Sequence, residues 1–342
     1  MLQFNHAGIS TMLRCRSTAG RSKSTRFPML MAALILIAGT PLASAQDELG
    51  SFYLSDALVH YIKPDTTLSR TPIIMIPGLN LSSYIYLATP DGRNGWAQIF
   101  AAAGHDVYAI NSPDYDFARG GFSVAPFTVP TGGPPGVPSS APAWNQDIWR
   151  RWGFGPSQGN PYPDTRFPTA FFNAFAANYP FVDSNVSSIS FSQAIIDLID
   201  QVGPVYLMAH SAGGPSALTA AKARPGLVRG LLMVEPTGAP VAADFPALAG
   251  LSMFGVYGDY IESRNQTARK AALEASVALF IQNGGMAQVD SLPEDFSVFG
   301  NTHLMMQDDN NGFVAGLYLS WLQALEQSTP LLADGFETAP VR

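Results

Sequence analysis

Cysteine is almost missing: the single thiol, Cys15, stands near the N-terminus, so no disulfide and no thiolate metal site can form beyond it. Disulfide scaffolds and zinc fingers are excluded. Charge is scarce at 13%, and past residue 45 Lys and Arg form no cluster able to neutralise phosphates. Nucleic acid and anionic membranes are therefore not expected partners. What the chain has instead is 47% hydrophobic residues over 342 positions with Gly 31 and Pro 27, the composition of a globular protein of one large domain or two small ones.

All the charge of the first 45 residues is basic, on Arg14, Arg16, Arg21, Lys23 and Arg26, and it precedes the apolar run MLMAALILIAGTPLA and Ala43-Ser44-Ala45. A basic segment, a short apolar stretch and a small-x-small site describe a secretory signal peptide over 1–45, cleaved after Ala45. The run is shorter than the roughly 20 apolar residues a membrane span requires. Cys15 lies before the run, which argues against a lipoprotein. The rest, 46–342, reads as a single acidic domain, exported to the periplasm or the medium, with no membrane association once the signal is removed. Nothing in it decides between a monomer and a homodimer.

Apolar runs that end in turn residues recur along the chain: TPIIMIPG (71–78), HDVYAINSP (105–113), VYLMAHS (205–211), VRGLLMVEP (228–236) and SMFGVYGDY (252–260). Helix-like stretches lie between or beside them at 95–104, 192–203 and 214–226, and a final one starts NGFVAGLY. Strand-helix-strand repeats of continuous apolar runs predict an α/β fold with a mostly parallel central sheet flanked by helices. LGSFYLSDALVHYI (49–62) alternates instead and predicts antiparallel edge strands. Residues 121–170 carry ten prolines and seven glycines together with Trp144, Trp149 and Trp152. Such a stretch predicts an irregular but ordered lid, within an insertion of about 115–180, because disordered segments are poor in aromatics. Phe171, Phe172 and Phe175 follow at helical spacing and either line the lid or pack as core.

The strongest chemical signal is Ala209-His210-Ser211-Ala212-Gly213-Gly214 between a strand-like run and a helix-like one. This is a nucleophile elbow, where a sharp strand-to-helix turn presents a serine and needs small residues two before and two after it. The amide of Ala212, at the helix start, would stabilise an oxyanion. A second donor is expected from the loop after TPIIMIPG, at the amide of Leu79, where Gly78 lets the backbone approach.

A serine hydroxyl needs a base, and after residue 45 the histidines are His60, His105, His210 and His303. The first two belong to strands, and His210 is expected to face away from the serine; His303, in a polar loop before the last helix-like stretch, remains. The acid that orients it should close a strand after the serine's. Glu235, ending LLMVEP, and Asp259, ending FGVYGD, both qualify, with a slight preference for Glu235 because a carboxylate closing an apolar run is costly without a partner.

With these residues in place, the chain resembles the α/β-hydrolase superfamily, in the order Ser211, Glu235, His303. The stretches TPDGRNGWAQIFAAAGHDVYAINSP, GPVYLMAHSAGGPSALTAAKARPGLVRGLLMVEPTG and GNTHLMMQDDNN are similar to a group of bacterial secreted esterase-like hydrolases whose acid is a glutamate after the sixth strand. The likeness spans most of 70–325. It implies an α/β-hydrolase fold, Glu235 as the acid with Asp259 in a turn that is not the acid, and cleavage of carboxylic esters through an acyl-enzyme, without metal or organic cofactor. Ala209 departs from the group's usual glycine, and Pro77 stands where many relatives place a histidine. The tryptophan-rich lid predicts an apolar or aromatic small-molecule ester as substrate. An amidase, a lactonase and a non-catalytic binding protein on the same scaffold are the alternatives.

Overall fold

The computed structural model describes residues 47–66, 68–115, 146–178, 180 and 187–328. The segment read as a signal peptide, the lid between 116 and 145 with Trp144, and the C-terminal 329–342 lie outside the described residues.

An antiparallel hairpin of β1 (Glu48–Leu54) and β2 (Ala57–Lys63) opens the fold, with Ser55 and Asp56 at φ 48° and 60° making its two-residue turn. Next come β3 (Arg70–Ile76), α1 (Tyr84–Leu87), α2 (Trp96–Ala102) and β4 (His105–Ile110). The insertion contributes α3 (Gln146–Trp152) and α4 (Phe172–Ala176), and the chain re-enters the fold through α5 (Phe191–Val202). Then follow β5 (Val205–His210), α6 (Gly213–Ala223), β6 (Val228–Val234), α7 (Phe245–Leu248) and β7 (Met253–Tyr257). The last elements are α8 (Thr267–Gln282), β8 (Ala287–Ser291), α9 (Leu292–Phe296) and α10 (Asn311–Ser328).

The eight described strands form one sheet in the order β1-β2-β4-β3-β5-β6-β7-β8, antiparallel at the β1, β2 and β4 edge and parallel from there on. Apolar side chains of β3 alternate between two cores. Ile73 and Met75 face one that holds Trp96, Phe100 and Tyr318, while Ile74 and Ile76 face the other, with Ile195, Ile199 and Leu218. Every residue of β5 and β7 is buried, which is why these strands read as unbroken apolar runs rather than alternating ones. Pro72 has no N–H to give the ladder, and the β3 to β4 register shifts between Arg70 and Ile73.

Helix boundaries follow from local chemistry. The Ser190 hydroxyl accepts from the amide of Gln193 at the start of α5, and Gly203 ends that helix at φ 96°. Its residues Ala194, Ile195, Leu198 and Ile199 form the stripe that packs on the sheet.

The insertion departs from expectation in one respect. Its Pro and Gly content argued against any regular element, yet α3 forms, because the seven residues QDIWRRW contain neither proline nor glycine. Trp149 and Trp152 are buried from this helix, and Phe172 and Phe175 meet them at ring-centroid distances of 5.1 and 5.4 Å. Phe154 stacks on Phe167 at 4.0 Å. These aromatics join the core cluster of Trp96 and Tyr318, so Phe172 and Phe175 pack as core while Phe171 is exposed. The base of the insertion is part of the body of the fold.

Candidate active site

Parallel α/β sheets bind ligands beyond the carboxyl ends of the strands, where the order of connection reverses. Here the chain leaves β3 toward β4 on one side, while β5 lies on the other. The loops after β3 and β5, which carry Leu79 and Ser211, therefore meet at this switch point.

Ser211 sits directly after β5 at φ 50°, a left-handed conformation that a non-glycine residue adopts only when its surroundings impose it. They do so from both sides. The Ser211 amide donates to the carbonyl of Val234 at 3.0 Å, and its carbonyl accepts from the amides of Gly214 and Thr237 at 3.0 and 2.7 Å. The neighbouring glycines are required by close approach. A Cβ on Gly213 would stand 2.7 Å from the Pro77 carbonyl oxygen, and one on Gly78 would stand 2.8 Å from the Ser211 Cβ. The β3 loop and the elbow are thus in direct contact. Ala209 is fully buried between Ile76 and Met233 in the sheet register, where its methyl group fits in place of the more usual glycine. Among the described residues, neither the Leu79 amide nor the Ala212 amide donates to a backbone carbonyl in a turn or loop. The Leu79 side chain is exposed, pointing away from the core.

Glu235 repeats this geometry one strand over. It follows β6 at φ 41°, with its amide bonded to the Val256 carbonyl at 3.2 Å. Its carboxylate is buried, and Oε2 lies 2.5 Å from Nδ1 of His303. Oε1 accepts from the amide of Gly258 at 2.7 Å. The structure therefore pairs His303 with Glu235 and not with Asp259, whose carboxylate accepts instead from the amides of Tyr260 and Gly300 at 2.7 and 3.0 Å. The amide of Asp259 also donates to the Asn301 carbonyl at 2.8 Å. Asp259 thus pins the loop that carries the histidine. The Gly-Asp turn thus holds both, its glycine amide the Glu235 carboxylate and its aspartate the loop.

His303 is fixed through its backbone as well as its ring. Its amide donates to the Trp152 carbonyl at 2.7 Å, and its carbonyl accepts from Nε2 of His210 at 2.9 Å. His210 was expected to face away from the serine. Its side chain bonds to the backbone of His303, with its ring centroid 4.5 Å from that of His303. Sequence reasoning missed this contact because it joins residues 93 positions apart through a backbone carbonyl. His60 and His105 lie on β2 and β4, as expected. Further round the loop, the Asp308 carboxylate accepts from the Thr302 amide and hydroxyl, each at 2.7 Å, and from Asn301 at 3.0 Å.

Burial dominates the electrostatics. It pushes the carboxyl of Glu235 up, but Arg264 and His303 together outweigh it and hold the group well below the usual carboxylate range. Burial also lowers His303, against the opposing pull of Glu235, and lowers His210 much further, so His210 stays neutral. Burial raises the Asp308 carboxyl to about 7 despite the bonds from Thr302 and Asn301. With Nδ1 of His303 turned to an ionised carboxylate, Nε2 is the nitrogen that can take a proton. Among the described residues no group of three or more His, Cys, Asp or Glu side chains is placed to hold a metal ion. No described helix is long and apolar enough to cross a membrane.

Sheet order, elbow and switch-point site define the class: the chain has the α/β-hydrolase fold. Comparison with known proteins agrees. A family model described as an alpha/beta hydrolase of unknown function (DUF1057) matches residues 166–294. A solved structure of a novel bacterial esterase is 26% identical, covers 82% of this chain and 93% of its own, and superposes with a TM-score of 0.65. A probable secreted lipase, phiG, of Fungal sp. (strain ATCC 74256) is 24% identical, aligned over 76% of this chain and 84% of that protein.

Proposed function

We propose that this protein is a secreted or periplasmic serine hydrolase that cleaves carboxylic esters through an acyl-enzyme. The observation that carries the reading is the buried Glu235–His303 pair at 2.5 Å, set beside an elbow that holds Ser211 at φ 50°. The likeness to a bacterial esterase and to a probable secreted lipase supports ester cleavage and export over the amidase, lactonase and binding-protein alternatives.

In this reading His303 Nε2 takes the Ser211 proton as Oγ attacks the ester carbonyl. Glu235 stabilises the imidazolium that forms, and the amides of Leu79 and Ala212 receive the oxyanion. His303 then gives the proton to the departing alcohol, leaving an acyl-serine. Water, deprotonated by the same imidazole, frees the acid. Trp152, buried and bonded through its carbonyl to the His303 amide, favours an apolar or aromatic ester. Hydrolysis of short and medium-chain p-nitrophenyl esters tests the reading: wild type turns them over and Ser211→Ala does not. Equal turnover by the two proteins would overturn it.

A further inference from the structure

Two of the hydrogen bonds to Glu235 come from a guanidinium that the ester mechanism does not require. Arg264, in the turn between β7 and α8, donates from Nη1 to Oε2 at 2.6 Å and from Nη2 to Oε1 at 2.7 Å. Its Nε and Nη2 also donate to the Asp259 carbonyl, at 3.2 and 2.9 Å. The two charged side chains are 0% and 1% exposed. A buried ion pair is weak evidence for stability, because desolvating both charges offsets their attraction. The Glu235 carboxylate already has Gly258 and His303 as donors, so hydrogen bonding alone does not call for a cation.

The cation has a chemical consequence. A carboxylate facing Nδ1 favours the imidazolium and so makes its histidine harder to deprotonate. A full positive charge forked onto the same carboxylate cancels part of that field. The fork also fixes the carboxylate plane, since an arginine binds both oxygens at once. We propose that Arg264 is a positioning residue that sets the basicity of His303 through Glu235. It keeps Oε2 aimed at Nδ1 and keeps the imidazole neutral, able to take the Ser211 proton, at mildly acidic pH.

The groups around His303 are consistent with this assignment. Glu235 faces it from the end of β6 and Arg264 from the turn after β7, while Arg269 of α8 adds a weaker positive field. His210 faces it from the end of β5 and is kept neutral by burial. Tyr257 of β7, near Glu235, is held in its phenol form by burial. Among the described residues of the insertion, the uncharged Trp152 carbonyl accepts from the His303 amide, and Asp308 of the histidine loop turns its carboxylate to Thr302 and Asn301. Among the described residues, Arg264 is a cation in direct contact with the pair.

The role in turnover rests on the ester-hydrolase reading, but the titration of His303 does not. The test is an NMR titration of the His303 ring proton in the protein, assigned by its loss in His303→Gln. The wild-type midpoint is expected below the free imidazole value of about 6.5. Arg264→Gln should raise it by about one pH unit, and Arg264→Lys, which keeps the charge, should stay close to wild type. The acidic limb of kcat/KM on a p-nitrophenyl ester should move by the same amount, whereas a purely structural loss would lower the plateau and leave the midpoint in place. An unchanged midpoint in a folded Arg264→Gln protein would overturn the proposal. So would a wild-type midpoint above about 7, a result that needs no variant to fold. Failure to cleave any ester would count against the functional reading and leave the titration result standing.

Discussion

At the scale of single residues, the site depends on which of two acids meets the histidine, and the two differ in kind. Glu235 closes an apolar buried strand, while Asp259 spends its oxygens on backbone amides. Glu235→Gln should lower kcat on an ester by about 10³ to 10⁴-fold, as a lost triad carboxylate does. Asp259→Asn should cost less than about tenfold, since a neutral amide oxygen can still accept from one of those amides; steady-state kinetics on the two variants separates them. Much of this was legible beforehand. Ser211, His303 and Glu235 stood out because a small-x-Ser-x-Gly turn, an elimination among four histidines and a costly carboxylate each leave a local mark. Arg264 left none, because what makes it notable is its fork onto a residue 29 positions away. The Gly258 amide and the Trp152 carbonyl were illegible for the same reason, backbone groups being alike in every residue.

At the scale of elements, the loop from Gly300 to Asn311 carries His303 and is tied down from several directions. Asp259 holds Gly300 and Asn301, Trp152 and His210 hold the His303 backbone, and Arg166 of the insertion bonds to the carbonyls of Phe299 and Gly300. Asp308 braces it from within. Because burial raises that acid to about 7, the folded chain keeps a proton that the unfolded chain releases near its ordinary value of about 4. The resulting stabilisation is full below that value and is lost as pH rises toward 7. The difference in melting temperature between wild type and Asp308→Asn should therefore shrink from pH 5 to pH 8, and a constant difference would show that Asp308 does not titrate there. The elbow makes a second demand on its elements. Gly213→Ala would force a methyl carbon to within 2.7 Å of the Pro77 carbonyl oxygen, and should cost about 1 to 3 kcal/mol of stability in chemical denaturation and displace the β3 loop. The strands were readable because full burial makes them continuous apolar runs. α8 and β8 were not, since α8 buries only scattered residues and β8 is a half-exposed edge strand. α3 was hidden by a composition averaged over fifty residues.

At the scale of the whole molecule, a chain with no cysteine beyond residue 15 relies on its core, and the two apolar layers on either side of the sheet supply it. The insertion base is stitched into one of those layers by Trp149 and Trp152, so the insertion and the histidine loop should unfold together, a coupling that hydrogen exchange can read as shared protection. Export is a separate prediction. The mature N-terminus should be Gln46, read by intact-mass analysis of protein recovered from outside the cytoplasm, and retention of residues 1–45 there would contradict the signal-peptide reading. The most direct measurement of the central claim is covalent. A fluorophosphonate should label the protein at one site, and peptide mass spectrometry should place the adduct on Ser211, with labelling lost in Ser211→Ala and strongly slowed in His303→Gln. An adduct on another residue, or ester hydrolysis that persists in Ser211→Ala, would contradict the serine mechanism.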